Sequence, residues 1–362
     1  MSKIVVCTGG LSSGGAERVL SILSTYLADA YDEVEYIMWL DHKNPNIFYN
    51  IDPRVKIIGI SQQTHSTNII KHLLWFRRHI NKDRPNIVLS FMVMINLSVI
   101  ISLLGTKNNV VVAERNDPRF FAHGRFLRQI INWLYHLKIV KRILVQTNNN
   151  KNYFSAKHLF NKTMVIYNPI ILENNLIGAA LHTPKENYIV SVGRLSLQKQ
   201  QHILIEAFEI FRQNHPNYRM VIYGEGDQRS ALEDIISKRG LSSVVSLPGT
   251  TSNILEKILD AKIFVMTSLY EGMSNSLIEA MCIGLPVIST KVSGAVDLIS
   301  HSHNGYLVEV GDSKTIARYM STIVDDSHLA EQLGNEAQGI YRHLSVDKIS
   351  KQWIAALKKC ER

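Results

Sequence analysis

The chain has 362 residues, a formal net charge of +9, and a composition that is 46% hydrophobic and 20% charged. This length allows two ordinary domains, each with its own core, and the composition is that of a soluble globular protein. The cysteines, Cys7, Cys282 and Cys360, show no paired or metal-type spacing, which predicts a reducing, cytoplasmic compartment. The opening sequence, MSKIVV, lacks the layout of a signal peptide and runs directly into a predicted strand.

Short apolar runs alternate with helical hydrophobic periods along the whole chain. In the first half, the runs predict strands at residues 4–7, 34–40, 55–58, 87–91, 110–113, 142–146 and 163–167. After a polar stretch at 172–186, strands are predicted at residues 188–192, 219–223, 244–247, 263–266, 286–289 and 305–308. This alternation is typical of parallel sheets covered on both faces, so the predicted fold class is α/β, with two doubly wound, Rossmann-like domains facing across a cleft.

The polar stretch sets the predicted domain boundaries at residues 1–170 and 171–345. Residues 346–362 contain a predicted helix that packs back on the first domain. Within that domain, residues 87–104 are nearly uncharged and about as long as a membrane span. Asn96 and three serines favour a buried strand followed by a buried helix instead.

The first domain is strongly basic between residues 71 and 162, where 16 Lys and Arg accompany 3 Asp and Glu. Aromatic residues lie among these charges, including Trp75, Phe76, Phe120, Phe121, Phe126, Trp133 and Tyr135. No nucleic-acid motif accompanies them, so nucleic acid is not the predicted partner. The combination favours peripheral attachment to the anionic inner face of a membrane over a merely solvated basic surface.

The first strand passes into a helix through Gly9, Gly10, Gly14 and Gly15. Glycines permit positive φ and let a ligand approach the main chain, and the following helix N-terminus attracts phosphate. The spacing is neither the dinucleotide fingerprint nor a P-loop, so a tight turn without a ligand also fits. Asp41, which ends the second strand, keeps open a nicotinamide dehydrogenase in which this carboxylate binds a ribose.

The second domain carries two cations after its first strand, in the sequence SVGRLSLQKQ. Gly193 turns the chain, and Arg194 and Lys199 lie five residues apart at the strand edge. Two cations converging in a cleft would stabilise a departing diphosphate, by a bidentate fork or as a point charge. The alternative is a pair of solvated charges.

A second motif follows, MTSLYEGMSNSLIEAMCIGLPVIST, residues 266–290. Main-chain N–H groups near Ser276 and Leu277 lie at a predicted helix N-terminus and can hold phosphates. Glu279 can accept both hydroxyls of a ribose, and Glu271 can reach a sugar hydroxyl. Two alternatives remain: Ser276 and Glu279 fit a capping box, and Glu271 with Glu279 could form the acid/base pair of a hydrolase.

Together these motifs resemble the family 4 glycosyltransferases of the GT-B type. The matching segments, which span nearly the whole chain, are GGAER (14–18), NP (168–169), GRLS-QK (193–199), YGEGDQRSAL (223–232), LPGTTSNI (247–254), YEGMSNSLIEAMCIGLPVIST (270–290) and NGYLV (304–308). The two-glutamate motif, with seven residues between Glu271 and Glu279, is the most specific of them.

The resemblance implies retaining, metal-independent transfer of a hexose or N-acetylhexosamine from a nucleotide-sugar, with UDP as the commonest choice. The implied acceptor is a lipid-linked saccharide in bacterial O-antigen, capsule or related glycan synthesis, bound by the first domain. No cofactor is implied, and no Asp-x-Asp metal motif occurs in the sequence. A nucleotide-sugar 2-epimerase of the same architecture and a non-catalytic sugar-nucleotide binding protein are the alternatives.

The resemblance also implies roles for single residues. The catalytic set is Glu271 at the donor sugar, Arg194 and Lys199 at the diphosphate, and Arg115 where many members carry a histidine. An ion pair between Arg115 and Asp117 is the alternative for that position. The nucleotide-sugar-binding set comprises Gly14, Gly15, Gly193, Gly249, Gly272, Met273, Ser274, Asn275, Ser276, Leu277 and Glu279.

Overall fold

The computed structural model describes residues 1–12, 14–40, 47–119 and 125–361. The chain divides into two compact units. Unit 1 comprises Met1–Pro169 together with Val346–Arg362, and unit 2 comprises Ile170–Ser345. Each unit contains a parallel sheet with helices, which confirms the predicted α/β fold class.

The sheet of unit 1 is built, in the part of the chain that the structure describes, from seven parallel strands in the order β3-β2-β1-β4-β5-β6-β7. The strands are β1 (Lys3–Thr8), β2 (Glu33–Met38), β3 (Lys56–Gly59), β4 (Ile87–Phe91), β5 (Val110–Glu114), β6 (Val140–Val145) and β7 (Thr163–Val165). Ile4 of β1 lies opposite Val34 on one side and Ile87 on the other. Because helices cover both faces, the inner strands are continuous apolar runs.

The helices of unit 1 follow the strands in the order that the hydrophobic periods predict. They are α1 (Gly15–Ala30), α2 (Ile60–Thr64), α3 (Ile69–Asp83), α4 (Val93–Ser102), α5 (Arg125–His136) and α6 (Asn148–Ser155). On α1, the buried residues include Val19, Leu20, Leu23 and Leu27, which recur at helical spacing. Phe76 of α3, Ile100 of α4 and Leu134 of α5 belong to one core with the strands.

The apolar segment 87–104 forms β4 and α4, as predicted; β4 is buried, and α4 is buried except at Met94, Ser98 and Ile101. Asn96, on α4, is fully buried and donates to the Tyr135 hydroxyl oxygen at 3.1 Å. Among the described residues, no helix combines the length and apolar character that crossing a membrane requires.

Several aromatic side chains of the basic segment do not face solvent. Phe76 and Tyr135 are fully buried in the core of unit 1, so the prediction that they contribute to a membrane-facing surface is wrong for these two. Phe126 and Trp133 are 76% and 60% exposed. Phe120 and Phe121 lie outside the described residues.

The sheet of unit 2 consists of six parallel strands, counted over the described residues, in the order β10-β9-β8-β11-β12-β13. These strands are β8 (Tyr188–Val192), β9 (Arg219–Tyr223), β10 (Val245–Gly249), β11 (Ile263–Met266), β12 (Val287–Thr290) and β13 (Tyr306–Val308). The helices are α7 (Ala179–His182), α8 (Gln201–Arg212), α9 (Arg229–Lys238), α10 (Ile254–Lys257), α11 (Asn275–Cys282), α12 (Ser293–Leu298), α13 (Ser313–Asp325), α14 (Ser327–Gln338) and α15 (Tyr341–Leu344).

The last helix, α16 (Val346–Lys358), belongs to unit 1 and packs against α1. Its Trp353 is fully buried and stacks on Phe91 of β4, with 5.5 Å between the ring centroids. Asn109 donates through Nδ2 to the carbonyl oxygen of Cys360 at 2.8 Å. The chain therefore returns to complete the core of its first unit.

A charged cluster lies where β1 and β2 begin. The Lys3 ammonium is 2.6 Å from Asp83 Oδ2 and 3.5 Å from Glu35 Oε2, and His79 is hydrogen-bonded to Glu35. Burial alone would raise the pKa of Glu35, but the hydrogen bond from His79 and the charges of His79, Lys3 and Lys56 outweigh it and lower that pKa. The carboxylates are thus compensated by neighbouring cations.

This cluster predicts how the stability of unit 1 depends on acid. Because the folded-state pKa of Glu35 lies below its unfolded value, its stabilisation is present above about pH 4.3 and is lost as pH falls through the folded pKa. In Glu35→Gln, the free energy of unfolding should fall less steeply as the pH is lowered below 5. Tryptophan fluorescence during urea unfolding measures it, since Trp39, Trp75, Trp133 and Trp353 all lie in unit 1. An unchanged acid profile would contradict the assignment, and Glu256→Gln in unit 2 is the control.

Candidate active site

The motifs of unit 2 meet at one edge of its sheet. All six described strands are parallel, so the loops after β8 and β11, which are neighbours, leave the sheet at the same edge. The chain runs outward from β8 through β9 to β10 and then returns to β11 on the other side of β8. Such a reversal of strand order is where open α/β sheets bind ligands.

Glycines allow the loops after β8 and β9 to touch. Gly224, with φ of 142°, follows β9, and a Cβ there would lie 2.0 Å from the carbonyl oxygen of Gly193. A Cβ on Gly193 would lie 3.3 Å from Cε of Lys199. The Lys199 side chain therefore lies directly over the Gly193 backbone, and a larger residue at 193 would displace it.

Lys199 forms an ion pair with Glu271 across the point where the strand order reverses. The Ser268 hydroxyl also donates to Glu271 Oε1, at 3.1 Å. Thr267 Oγ1 donates to the carbonyl oxygen of Lys199 at 2.9 Å, and the Leu269 N–H donates to that of Gln198 at 2.7 Å. Side-chain and main-chain contacts thus hold two predicted catalytic residues together, although 72 residues separate them.

Arg194 lies in the same loop as Lys199 but has different surroundings. Its side chain is exposed, and its carbonyl oxygen accepts a 2.8 Å hydrogen bond from Gln201 Nε2. Within the described ranges, its guanidinium forms no ion pair. A charged fork without a carboxylate partner is available to an anion.

Helix α11 begins earlier than the capping-box prediction requires. Ser274 is the N-cap, and its side chain accepts from the Leu277 N–H at 3.4 Å. Glu279 is the fifth residue of the helix, too far along to reach back to the cap, so the capping box of Ser276 and Glu279 is wrong. The amides of Asn275 and Ser276 lie at the helix N-terminus, while that of Leu277 donates to Ser274. Phosphate binding at this helix end stays a prediction.

Glu279 is 6% exposed, and Gly272 and Met273 before the helix are buried. Sequence reasoning gave no role to Gly294 of α12. A Cβ there would lie 2.4 Å from the Gly272 carbonyl oxygen and 2.8 Å from Cα of Met273. Gly294 therefore allows α12 to pack directly against the loop between Glu271 and α11. In the sequence, this glycine is marked by the segment VSGAVDL that follows β12.

Gly249 ends β10, the outermost strand on its side of the sheet. Its φ is +88°, and its carbonyl oxygen accepts from the Gly224 N–H at 2.8 Å. It therefore lies two strand positions from β8, about 10 Å at the usual strand spacing. A contact between Gly249 and the nucleotide base stays a prediction.

The first glycine loop lies in unit 1, and its geometry differs from the one expected. Gly14 is the N-cap of α1 with φ of −79°, and Gly15 is the first residue of the helix. Neither these glycines nor Gly9 and Gly10 have positive φ, so the conformational reason given for them is wrong. A Cβ on Gly14 would meet the Glu17 carboxylate at 2.2 Å and one on Gly9 would lie 3.0 Å from Met92 Cε, and both of these atoms end flexible side chains that can move aside. Asp41 lies outside the described residues.

Arg115 is buried and does not pair with Asp117, so the ion-pair prediction is wrong. Its guanidinium donates to Asn168 Oδ1 and lies over the rings of Phe91 and Trp353, at 5.7 and 5.9 Å from their centroids. Asp117 binds Arg119 instead, with 2.6 Å between Nη2 and Oδ2. Burial lowers the pKa of Arg115 to about 9, which leaves it protonated at neutral pH.

A cavity of about 240 Å³ opens at the carboxyl end of β4 and β5 in unit 1. Its walls are mostly apolar, with Met92, Ile95 and Ile131 among the residues that line it. Glu114 contributes a carboxyl that is hydrogen-bonded to Tyr135 and to Asn96 Nδ2, and burial raises its pKa. The cavity thus combines apolar walls with several polar side chains, among which the Glu114 carboxyl can bind a hydroxyl.

The fold and the sequence were compared with those of known proteins. The structure superposes on Anabaena HepE, solved in complex with UDP, with a TM-score of 0.81 over 99% of this chain and all of the other, at 18% identity. The chain therefore has the GT-B fold. Residues 174–339, within unit 2, match the family model of glycosyl transferases group 1. Together with the relatives described next, this match identifies the chain as a glycosyltransferase.

Two curated relatives align over nearly the full chain. One, from Campylobacter jejuni, is 25% identical over 98% of both chains and is named GalNAc-alpha-(1->4)-GalNAc-alpha-(1->3)-diNAcBac-PP-undecaprenol alpha-1,4-N-acetyl-D-galactosaminyltransferase. The other, the amylovoran biosynthesis glycosyltransferase AmsD of Erwinia amylovora, is 26% identical over 98% of this chain and 99% of its own. The resemblance to GT-B glycosyltransferases that the sequence motifs indicate is therefore confirmed.

Proposed function

We propose that this enzyme transfers a hexose or N-acetylhexosamine from a UDP-sugar to a lipid-linked saccharide, with retention of anomeric configuration and without a metal ion. The observation that carries the proposal is the Lys199–Glu271 ion pair at the reversal of strand order in unit 2. It brings together a cation suited to a diphosphate and a carboxylate suited to a sugar hydroxyl.

Cleavage of a glycosyl–phosphate bond concentrates negative charge on the leaving oxygen. Lys199, Arg194 and the first-turn amides of α11 supply fixed positive charge for it in place of a divalent ion. Glu271 is held by Lys199 and Ser268, which favours a positioning role over nucleophilic attack. Retention then follows from attack on the leaving-group face, with a phosphate oxygen taking the acceptor's proton. A covalent sugar adduct trapped on any side chain would overturn this mechanism.

The UDP preference is supported by the HepE complex, which holds that nucleotide in the same fold. Glu279 is the residue that we assign to the ribose. Glu279→Gln should weaken UDP binding about 10- to 100-fold, since a hydrogen bond to a charged group contributes about 1.5–3 kcal/mol. Binding of pyrophosphate, which has no ribose, should not change. Calorimetry with both ligands measures this, with Glu256→Gln as the matched control; equal weakening of both ligands would refute the ribose contact.

The acceptor assignment rests on the relatives and on unit 1. The Campylobacter enzyme is named for an undecaprenyl-diphosphate-linked saccharide, and AmsD for amylovoran synthesis. The cavity beside Glu114 is the candidate subsite for the acceptor sugar in unit 1, because its walls suit a ring face and its carboxyl suits a hydroxyl. Such an acceptor places the enzyme on the inner face of a bacterial membrane.

The surface of unit 1 supports membrane attachment. Ile70 and Leu74 of α3 are 62% and 50% exposed, and the end of α4 exposes Ile101 and Leu104. Arg77 joins the two helices by donating through Nη1 to the carbonyl oxygens of Ser102 and Leu104, at 2.9 and 2.7 Å. We call Ile70, Leu74, Ile101 and Leu104 the α3–α4 patch. Lys71 and Arg78, also exposed, flank it on α3, which suits an anionic bilayer.

Vesicle flotation tests this surface. The enzyme should bind acidic vesicles at least about tenfold better than neutral ones, since each Lys or Arg near an anionic surface contributes about 1 kcal/mol. Leu74→Glu should abolish most of that binding, and Val310→Glu, at an exposed apolar position of unit 2, should not. Equal and negligible binding to both vesicle types would refute membrane attachment.

The direct test is product analysis. In the presence of a chelator, the enzyme should consume a UDP-sugar only when a lipid-linked saccharide is supplied. The new glycosidic bond should have the same anomeric configuration as the sugar in the donor. Release of an isomeric nucleotide-sugar without acceptor would identify the 2-epimerase alternative. Reduction of NAD with no sugar transfer would identify the dehydrogenase, and folded protein that binds donors without turnover would identify a binding protein.

A further inference from the structure

A second cavity, of about 200 Å³, lies in unit 2 at the edge of the sheet where strands begin. Lys262, which immediately precedes β11, and Pro286, which immediately precedes β12, both line it. Lys199 and Glu271 follow strands of the same sheet at the opposite edge. The length of β11, about 13 Å at 3.3 Å per residue, therefore separates the two places.

Two lysines line this cavity, and neither forms an ion pair within the part of the chain that is described. The Lys185 ammonium donates to the carbonyl oxygen of Leu259 at 2.7 Å, and Asp260 accepts from the Tyr188 hydroxyl. Burial, opposed by Asp260 and assisted by the charge of Lys262, lowers the pKa of Lys185 to about 8. The ammonium groups of Lys185 and Lys262 thus repel each other, and burial partly removes Lys185 from water.

The rest of the lining is largely apolar. Leu181, Ile323 and Val324 form walls, and Gly284, at φ +91°, lets Leu181 approach closely, since a Cβ there would lie 2.7 Å from its Cγ. Thr183 and Ser327 add hydroxyls, and Glu331 adds one exposed carboxylate. Among the lining residues there are thus two cations and one anion, and Asp260, whose charge also acts on Lys185, lies outside the lining and accepts from the Tyr188 hydroxyl.

We propose that this cavity binds a small organic anion, a carboxylate or phosphate monoester on an apolar body, with Lys185 and Lys262 on the anionic group. Desolvating an unpaired ammonium is costly, and an anion between the two lysines offsets that cost while relieving their repulsion. The volume lies below the roughly 300–1,000 Å³ of drug-sized sites, so the ligand is small. The proposal stands apart from the glycosyl transfer and does not rest on it.

Calorimetry on the full chain tests the site, with phenyl phosphate and benzoate as probes. At least one should bind, and inorganic phosphate and benzyl alcohol, which carry only the charge or only the ring, should bind at least tenfold more weakly. Lys185→Met and Lys262→Met should each weaken binding tenfold or more, and Glu331→Gln should strengthen it. Lys238→Met, at an exposed lysine of the same unit, is the matched control.

Peptide mapping after acetylation with a water-soluble ester locates the probe. Phenyl phosphate or benzoate should protect Lys185 and leave Lys238 unprotected, and Ala330→Leu, which fills the cavity without changing charge, should remove the protection. Protection that survives Ala330→Leu, or affinities unchanged in both lysine variants, would overturn the proposal by locating the anion elsewhere. Failure of both probes to bind the wild-type chain would overturn it as well. None of these outcomes depends on glycosyl transfer.

Discussion

Lys199→Ala should lower the turnover number about 10²- to 10³-fold, the usual cost of losing one preorganised charge at a leaving group. Lys199 is the cation that the structure holds against Glu271, over the backbone of Gly193. Steady-state kinetics with a UDP-sugar and a lipid-linked acceptor measure the loss. Arg194→Ala should cost a similar factor, because its exposed guanidinium is available to the same diphosphate.

A control variant and a double variant show whether the loss comes from the contact between Lys199 and Glu271. Lys238→Ala removes an exposed lysine of unit 2 and should leave turnover unchanged. Because Lys199 and Glu271 contact each other, the double variant Lys199→Ala, Glu271→Ala should lose less than the product of the two single losses. Turnover of Lys199→Ala within threefold of wild type would remove this residue from the mechanism.

Trp353→Ala should lower the free energy of unfolding of unit 1 by about 3–5 kcal/mol, the usual cost of truncating a buried aromatic side chain. Trp353 is fully buried, stacks on Phe91 and lies against the Arg115 guanidinium. Urea unfolding followed by tryptophan fluorescence reads unit 1 alone, since Trp39, Trp75 and Trp133 remain there.

Two matched variants separate packing from other effects. Trp353→Phe keeps the stacked ring and should cost much less, because Nε1 of Trp353 has no hydrogen-bond partner among the described residues. Lys351→Ala, exposed on the same helix, should change stability by no more than about 0.5 kcal/mol. Equal losses for Trp353→Phe and Trp353→Ala, or no loss for either, would show that α16 is not part of the core of unit 1.

The strands could be predicted because they are buried on both faces. Parallel strands covered by helices read as continuous apolar runs, and the predicted ends at 188–192, 219–223 and 263–266 match β8, β9 and β11. The sequence misplaces a strand end where the chain stays apolar beyond the last residue of the strand. The strand predicted at 34–40 ends at Met38, although the Trp39 and Leu40 amides still bond to Thr8 and Gly9.

The errors at the site came from treating neighbours in sequence as partners. Arg115 and Asp117 are two residues apart, but Arg115 extends toward Trp353 while the adjacent Glu114 contacts Tyr135 on the opposite face of the sheet. Side chains alternate between faces along a strand, and burial then selects their partners. Ser274 and Ser276 are equally good caps by composition, and the tertiary position of the loop before α11 decided for Ser274.

For this protein, the amino-acid order alone was enough to determine two parallel α/β units and to select the residues of the candidate site in unit 2, because hydrophobic periodicity and sequence motifs are local properties. Only the tertiary structure decided which side chains meet. Lys199 contacts Glu271 from 72 residues away, Arg115 binds Asn168, and Trp353 returns to the core of unit 1. Such contacts depend on strand order and burial, which the whole chain sets together.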